Sequence, residues 1–273
     1  MTTRPRPGAV ALDVDGTLAS DGHRVSDRAI GVLARLEARG ILPIIVTGRT
    51  EHAALSIATA AGLSAPVIAC NGAVVTEPAS RTRVTVSTFD PAAIPAIRAQ
   101  ADHAGLQFIA WTADEMRAEA RTGFTELLEE VNDEPVVIGP IEDRPHGIVK
   151  VMLAGDDTLL DDRGGPITER LPFIRRSMAN FLEGSSPGAS KVDALCFVLD
   201  RLGITPDATI GFGDGETDVE WLSAIGHPIA MGNARPGVVR IAREQVGDHR
   251  DDAVAAYLED LLRSGESTAG GVE

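Results

Sequence analysis

Three short apolar runs open the chain, Ala9–Val14, Ile41–Val46 and Val67–Ala69, and each ends in polar or turn-forming residues. Short runs without polar alternation predict strands buried on both faces. Between the first two, Ile30, Leu33 and Leu36 fall on one side of a segment from Arg28 to Arg39, with Ser26 placed to cap its start and Gly40 to stop it. Thr50 and Gly62 bracket a second helical segment that runs through Ala61. Strands alternating with helices in this way predict right-handed crossovers and a parallel sheet.

The pattern changes after Gly72. Thr82–Thr88 alternates apolar with polar or basic residues, and Asp90-Pro91 opens a helix predicted to stop at Gly105. Gln107–Trp111, Gly147–Leu153 and Phe173–Met178 read as further strands, while Asp156–Gly165 is acidic and reads as a solvated turn. The parallel rhythm returns with a helix from Ser190 to Leu202, a strand at Thr209–Phe212, a helix over Glu216–Ala224, a strand at Pro228–Ala230 and a helix over Asp252–Leu262. The predicted fold is α/β: a Rossmann-like doubly wound parallel sheet from residues 1–78 and 187–263, an inserted α+β cap at 79–186, and a flexible polar tail at 264–273.

Composition narrows the function classes. The chain has 273 residues, 44% hydrophobic and 24% charged, which is ordinary for a soluble protein and excludes wholesale disorder. With 25 basic against 40 acidic residues the net charge is −15, which argues against nucleic acid or an anionic membrane surface as a partner. No apolar run reaches the roughly 18 residues of a membrane span, and Met1–Gly8 lacks the apolar segment of a secretory signal. Cys70 and Cys196 cannot build a disulfide framework or a four-cysteine zinc site. These features predict a cytoplasmic protein, and they leave both a monomer and a homodimer open.

In doubly wound sheets ligands collect beyond the C-terminal ends of the strands. There the sequence delivers Asp13-Val14-Asp15-Gly16-Thr17, Thr47-Gly48-Arg49, Asn71-Gly72 and Gly213-Asp214-Gly215-Glu216-Thr217-Asp218. Asp13 and Asp15, two apart, point roughly the same way, so one can bind metal and attack while the other handles protons. Carboxylates this close raise one another's pKa unless a cation neutralises them. Magnesium, which prefers hard oxygen ligands, suits Asp13, Asp214 and a backbone carbonyl. Only two of the 25 basic residues are lysine, and one, Lys191, opens the helix that precedes the Asp214 strand.

At these residues the chain resembles the haloacid dehalogenase-like superfamily, in particular its Cof-type, type IIB phosphatases. The resemblance rests on Asp13-Val-Asp-Gly-Thr-Leu18, Val46-Thr-Gly-Arg49, the lysine of Gly188-Ala-Ser-Lys191 and Gly213-Asp-Gly-Glu-Thr-Asp218, in that order, with Asn71-Gly-Ala73 and Ala230-Met-Gly-Asn-Ala234 beside them. It implies a type-II cap and magnesium-dependent hydrolysis of a small phosphorylated metabolite through an aspartyl-phosphate. Asp13 would be the nucleophile and a metal ligand. Asp15 would protonate the leaving oxygen, later activate water, and bind metal through its backbone carbonyl. Thr47, with Gly16 and Gly48, would receive the phosphoryl group, and Lys191 would balance the charge of nucleophile and phosphate. Asp214 would bind the metal and Asp218 would orient the metal's water shell; Asn71, in its turn, is either a substrate-side contact or a residue that only satisfies backbone.

Two positions depart from the family pattern: Thr217 stands where asparagine is usual, and Ala253 follows Asp251-Asp252 where glycine is usual. A phosphomutase would use the same intermediate, and a catalytically silent phosphate-binding protein would find its support in Thr217. A phosphate-sensing receiver module is excluded by length and by the inserted cap. Substrate choice belongs to cap residues that face the core, with Trp111, Arg117, Arg121, Arg144 and His146 as the candidates. His23 follows the first motif in a loop, and Cys70 is a packing residue rather than a nucleophile.

Overall fold

The computed structural model describes residues 6–143 and 145–269. Arg144, among the cap candidates, and the last four residues of the expected tail lie outside them. The chain begins with β1 (Ala9–Leu12), α1 (Asp27–Glu37), β2 (Leu42–Ile45), α2 (Glu51–Ala61), β3 (Val67–Ala69), β4 (Val74–Glu77) and β5 (Thr82–Val86). It then leaves for α3 (Ile94–Ala104), β6 (Gln107–Trp111), β7 (Met116–Ala118), α4 (Gly123–Asn132), β8 (Val136–Ile138), β9 (Lys150–Ala154), α5 (Asp157–Arg170), β10 (Ile174–Met178) and β11 (Phe181–Ser185). It returns through α6 (Lys191–Leu202), β12 (Thr209–Gly213), α7 (Val219–Ser223), β13 (His227–Ala230), α8 (Pro236–Ile241), β14 (Glu244–Gln245) and α9 (Ala253–Ala269).

The core sheet is parallel in the order β14-β13-β12-β1-β2, and a parallel bridge between Val46 and Ile68 brings β3 alongside β2. From β1 the chain winds outward through β2 and β3, then restarts on the other side of β1 with β12. That break in winding opens a crevice between the ends of β1 and β12, where the two most acidic loops emerge. Every residue of β1 is buried, which fits the unbroken apolar run. The expected caps hold the helices: Ser26, Thr50 and Ser190 accept from the backbone N–H groups of Ala29, Ala53 and Asp193, and Gly62 and Gly203 end their helices in the left-handed conformation.

The cap sheet has the order β10-β11-β9-β6-β7-β8 and is antiparallel apart from the β7–β8 pair. Successive residues of its central strands point to opposite faces, and both faces are covered. Ile109 and Trp111 of β6 pack on the side that is continuous with the core domain, whereas Phe108 and Ala110 pack with residues of α3 and α5. The segment expected as a solvated turn at Asp156–Gly165 is instead the first part of α5. The Asp156 carboxylate accepts from Leu159 N at 2.8 Å, the acids at the helix start suit its dipole, and Arg176 pairs with both Asp157 and Asp161. Leu160, Gly164 and Ile167 recur on the buried face. α9 also runs beyond Ser264, so the helix continues into the stretch expected as tail.

Candidate active site

Asp13 leaves the end of β1 with its N–H bonded to the Phe212 carbonyl of β12, which seats its side chain in the crevice. The next turn is tight: the N–H groups of Thr17, Leu18 and Ala19 all converge on the Val14 carbonyl. Gly16 makes that possible with φ 75°, and a Cβ there would lie 2.5 Å from Asp214 Oδ2. Glycine therefore lets the loop after β12 press its carboxylate against the loop after β1.

Lys191, the first residue of α6, is buried and reaches both acidic loops. Its Nζ donates to Asp13 Oδ1 at 2.7 Å and to Asp218 Oδ1 at 2.8 Å. Asp13, Asp214 and Asp218 place one carboxylate oxygen each within 4.8 Å of one another. Burial and the neighbouring Asp218 hold Asp13 well above the usual carboxylate range, against the pull of Lys191. The same two causes push Asp214 up to about 6. Burial would lower the Lys191 ammonium, but the charges of Asp13 and Asp218 overrule it and raise it.

One lysine thus faces a cluster with excess negative charge, and hard oxygen donors in that state fit a divalent cation such as magnesium. Asp218 is already engaged: Oδ2 accepts from the N–H groups of Asp214 and Gly215, and Oδ1 from Trp221 Nε1 as well as Lys191. Asp214 is freer, with Asn233 Nδ2 at 3.2 Å and the Thr17 hydroxyl at 3.5 Å. Asn233 also donates to the Gly16 carbonyl at 2.8 Å, tying the first and last loops together.

Asp15 faces a different environment. Arg49 forks onto it, Nε to Oδ2 at 3.0 Å and Nη2 to Oδ1 at 2.7 Å, and His23 Nδ1 lies 3.2 Å from Oδ1. Burial would raise its pKa, but the hydrogen bonds from His23 and Arg49 prevail and hold it well below the usual range. His23, in turn, is raised by its bond to Asp15. Neither Arg49 nor His23 stands out in the sequence as a partner of Asp15.

Thr47 is fully buried at the end of β2, and its hydroxyl accepts from Arg49 N at 3.1 Å. Gly48 lies close to the Asn71 side chain, since a Cβ there would stand 2.8 Å from Asn71 Oδ1 and displace it. Asn71, with φ 57°, turns its amide toward the cap and donates to Glu183 Oε1 at 3.0 Å and Ser185 Oγ at 3.2 Å. Thr217 is exposed. Of the cap candidates, Trp111 is buried against Lys150, whereas Arg117 and His146 line a cavity of about 570 Å³ with Ala110, on the sheet face opposite Trp111. Arg121 pairs with Glu129 near the surface. Lys150 and Glu183, which no motif marks, are charged cap groups bonded to the loops, Lys150 to the Gly48 carbonyl and Glu183 to Asn71.

The sequence signature of haloacid dehalogenase-like hydrolases matches residues 10–258, spanning this whole arrangement. The chain belongs to that family. It is a phosphoric monoester hydrolase of the Cof-type, type IIB branch. Among similar proteins are the phosphoglycolate phosphatase of Methanopyrus kandleri, 28% identical with 93% of this chain and 96% of the relative covered, and the pyridoxal phosphate phosphatase of Escherichia coli, 28% identical with 94% and 98% covered. The HMP-PP phosphatase of Serratia proteamaculans is 29% identical, with 93% and 95% covered. A haloacid dehalogenase-like hydrolase from Bacteroides thetaiotaomicron shares the fold with a TM-score of 0.85 at 22% identity, over 94% of this phosphatase and 100% of that chain. Among the described residues of the phosphatase, no helix is long and apolar enough to cross a membrane.

Proposed function

We propose that this phosphatase hydrolyses a small phosphorylated metabolite with magnesium, through an aspartyl-phosphate on Asp13. The observation that carries the reading is the convergence of Asp13, Asp214 and Asp218 on one point with Lys191 bonded to two of them. Asp13, Asp214 and the backbone carbonyl of Asp15 would hold the cation, with Asp218 behind them. When bound, magnesium supplies positive charge to the non-bridging phosphoryl oxygens and offsets the repulsion among the acids.

An Asp13 oxygen forms the new bond to phosphorus as the bond from phosphorus to the leaving oxygen breaks. The Thr47 hydroxyl and the Gly16 and Gly48 turns receive the phosphoryl group, and Lys191 holds the charge shared by nucleophile and phosphate. Asp15 protonates the leaving oxygen and then takes a proton from the water that cleaves the acyl phosphate. As held by Arg49 and His23 it is in the ionised form that suits the second step. For the first step it must carry a proton, which it draws from solvent and passes to the leaving oxygen.

The substrates for which the relatives are named, phosphoglycolate and pyridoxal phosphate among them, support a small-molecule substrate. The deciding experiment is phosphate release from a panel of phosphorylated metabolites, with magnesium and with chelator, beside Asp13→Asn. Release that needs metal and vanishes in the variant is expected. Transfer of phosphate to a second position of the same substrate, without release, would mark a mutase instead.

A further inference from the structure

The turn Thr47-Gly48-Arg49-Thr50 carries the phosphate-side hydroxyl and the arginine that clamps Asp15, yet the core alone does not hold it. The core fixes Thr47 through Ile68 O and Asn71 N, and Arg49 O through Cys70 N. Arg49 N donates to the Thr47 hydroxyl and Thr50 O accepts from Ala54 N, whereas the Gly48 carbonyl and Thr50 N are taken by the cap. Lys150 Nζ donates to the Gly48 carbonyl at 3.0 Å, and Asn132 Oδ1 accepts from Thr50 N at 2.9 Å. Both cap residues are almost completely buried.

Lys150 is the chain's second lysine and sits in β9 with a fixed surrounding. Its ammonium pairs with Glu183 Oε2 at 2.8 Å and lies 4.4 Å from the centre of the Trp111 ring. Glu183 passes the contact on by accepting from Asn71, whose own Oδ1 crowds Gly48. Lys150, Glu183 and Asn71 thus form a chain of polar contacts that starts at the Gly48 carbonyl and joins two cap strands to the loops after β2 and β3. A buried ammonium has three N–H donors, and those its carboxylate leaves free need acceptors of their own. Here one of them is taken by the backbone carbonyl between Thr47 and Arg49.

We propose that Lys150 is a positioning residue for phosphoryl transfer: a cation supplied by the cap that fixes the Gly48 carbonyl, so that the Thr47 hydroxyl and the Arg49 fork on Asp15 are aligned only when the cap is seated. This rests on the phosphatase reading of the site. A displacement of about 1 Å in such a group costs on the order of 100-fold in rate. Lys150 acts through the turn, by way of its bond to the Gly48 carbonyl.

The test compares Lys150→Met, Lys150→Arg and the double variant Lys150→Met/Glu183→Met for kcat and KM on a small alkyl phosphate, for orthovanadate affinity, and for melting temperature. Lys150→Met is expected to lower kcat by about 10- to 100-fold with a smaller change in KM, and Lys150→Arg to recover part of it. The double variant, which leaves no orphaned charge, is expected to regain melting temperature but not kcat. Recovery of kcat in the double variant would reduce the pair to a structural ion pair and overturn the proposal. A rise in KM alone would overturn it too, by making Lys150 a contact of the substrate. Orthovanadate affinity, which needs an aligned turn but no turnover, is expected to fall with kcat. An inactive wild type that still binds orthovanadate would count against the reaction, and the variants' affinities would then decide the role of Lys150.

Discussion

Lys191 Nζ lies 2.7 Å from Asp13 Oδ1 and, on its other side, bonds Asp218, so one buried ammonium answers two carboxylates while Asp214 remains uncompensated beside them. The balance of charge here is therefore unequal in direction: removing an acid relieves the cluster, and removing the lysine leaves it without relief. Asp13→Asn is expected to abolish turnover while leaving the melting temperature in chelator unchanged or higher, because burial and Asp218 already disfavour the ionised carboxylate. Lys191→Met is expected to abolish turnover and also to destabilise by about 3–5 kcal/mol, the usual cost of orphaning a buried charge. Thermal denaturation of the two variants in chelator checks this; equal losses of stability would contradict it.

The same repulsion fixes how metal and pH act together. Asp214 is raised by burial and Asp218 to about 6, above its unfolded value of 3.8. A carboxylate raised on folding favours the native state below the unfolded pKa, and that contribution is lost as pH climbs through the folded value. Metal-free protein should thus lose stability between pH 4 and about 6 relative to Asp214→Asn. Magnesium binds the ionised form, so its stabilisation should be larger at pH 7.5 than at pH 5. At roughly 100 times its dissociation constant an ion adds about 2.7 kcal/mol, or a shift of about 5–10 °C for a chain of this size. Magnesium shifts of equal size at both pH values would argue against the cluster as the metal site.

The sequence made the strand ends legible because each buried run stops at the residue that does chemistry. Ala9–Val14 ends at the Asp13 turn, and Ser190 both caps α6 and places Lys191 at the crevice. Arg49 and His23 were harder to place, since their partner, Asp15, lies 34 and 8 positions away and nothing in the spacing shows where a long side chain folds back. Lys150 did carry a signal: a lone lysine inside the apolar stretch Ile148–Met152, in a strand with no solvent face, has to find a buried acceptor. The α5 segment reads two ways because acids and paired glycines suit a turn as well as a helix start; the Asp156 cap, the buried Leu160–Ile167 face and Arg176 on the neighbouring strand together favour the helix.

Cys70 and Cys196 should separate cleanly. Cys70 is buried after β3, and desolvation pushes its thiol up to about 12, whereas Cys196 is exposed on α6. Because thiolate is the reactive form, a thiol reagent at pH 7.5 is expected to modify Cys196 alone in native protein, and both only in denaturant, without loss of phosphatase activity. Intact mass after labelling reads this directly, and rapid labelling of Cys70 would mean that the loop beside Asn71 opens far more than its packing implies.

Asp15 allows its acid role to be isolated from its role as a partner of Arg49. General acid catalysis contributes about 100- to 10,000-fold, and the benefit depends on how poorly the leaving group departs unaided. Asp15→Asn is therefore expected to slow hydrolysis of an alkyl phosphate by at least about 100-fold, and of p-nitrophenyl phosphate, whose leaving group needs no proton at neutral pH, by much less. Arg49→Met keeps the carboxyl group but removes the fork that holds it ionised, so the limb of the pH profile that reports Asp15 should move to higher pH. His23→Asn should move it the same way, since the His23 hydrogen bond is the first of the influences that lower Asp15. Equal losses on both esters in Asp15→Asn would show that the residue supports the fold of the turn rather than the departure of the leaving oxygen, and would leave the proton to another group.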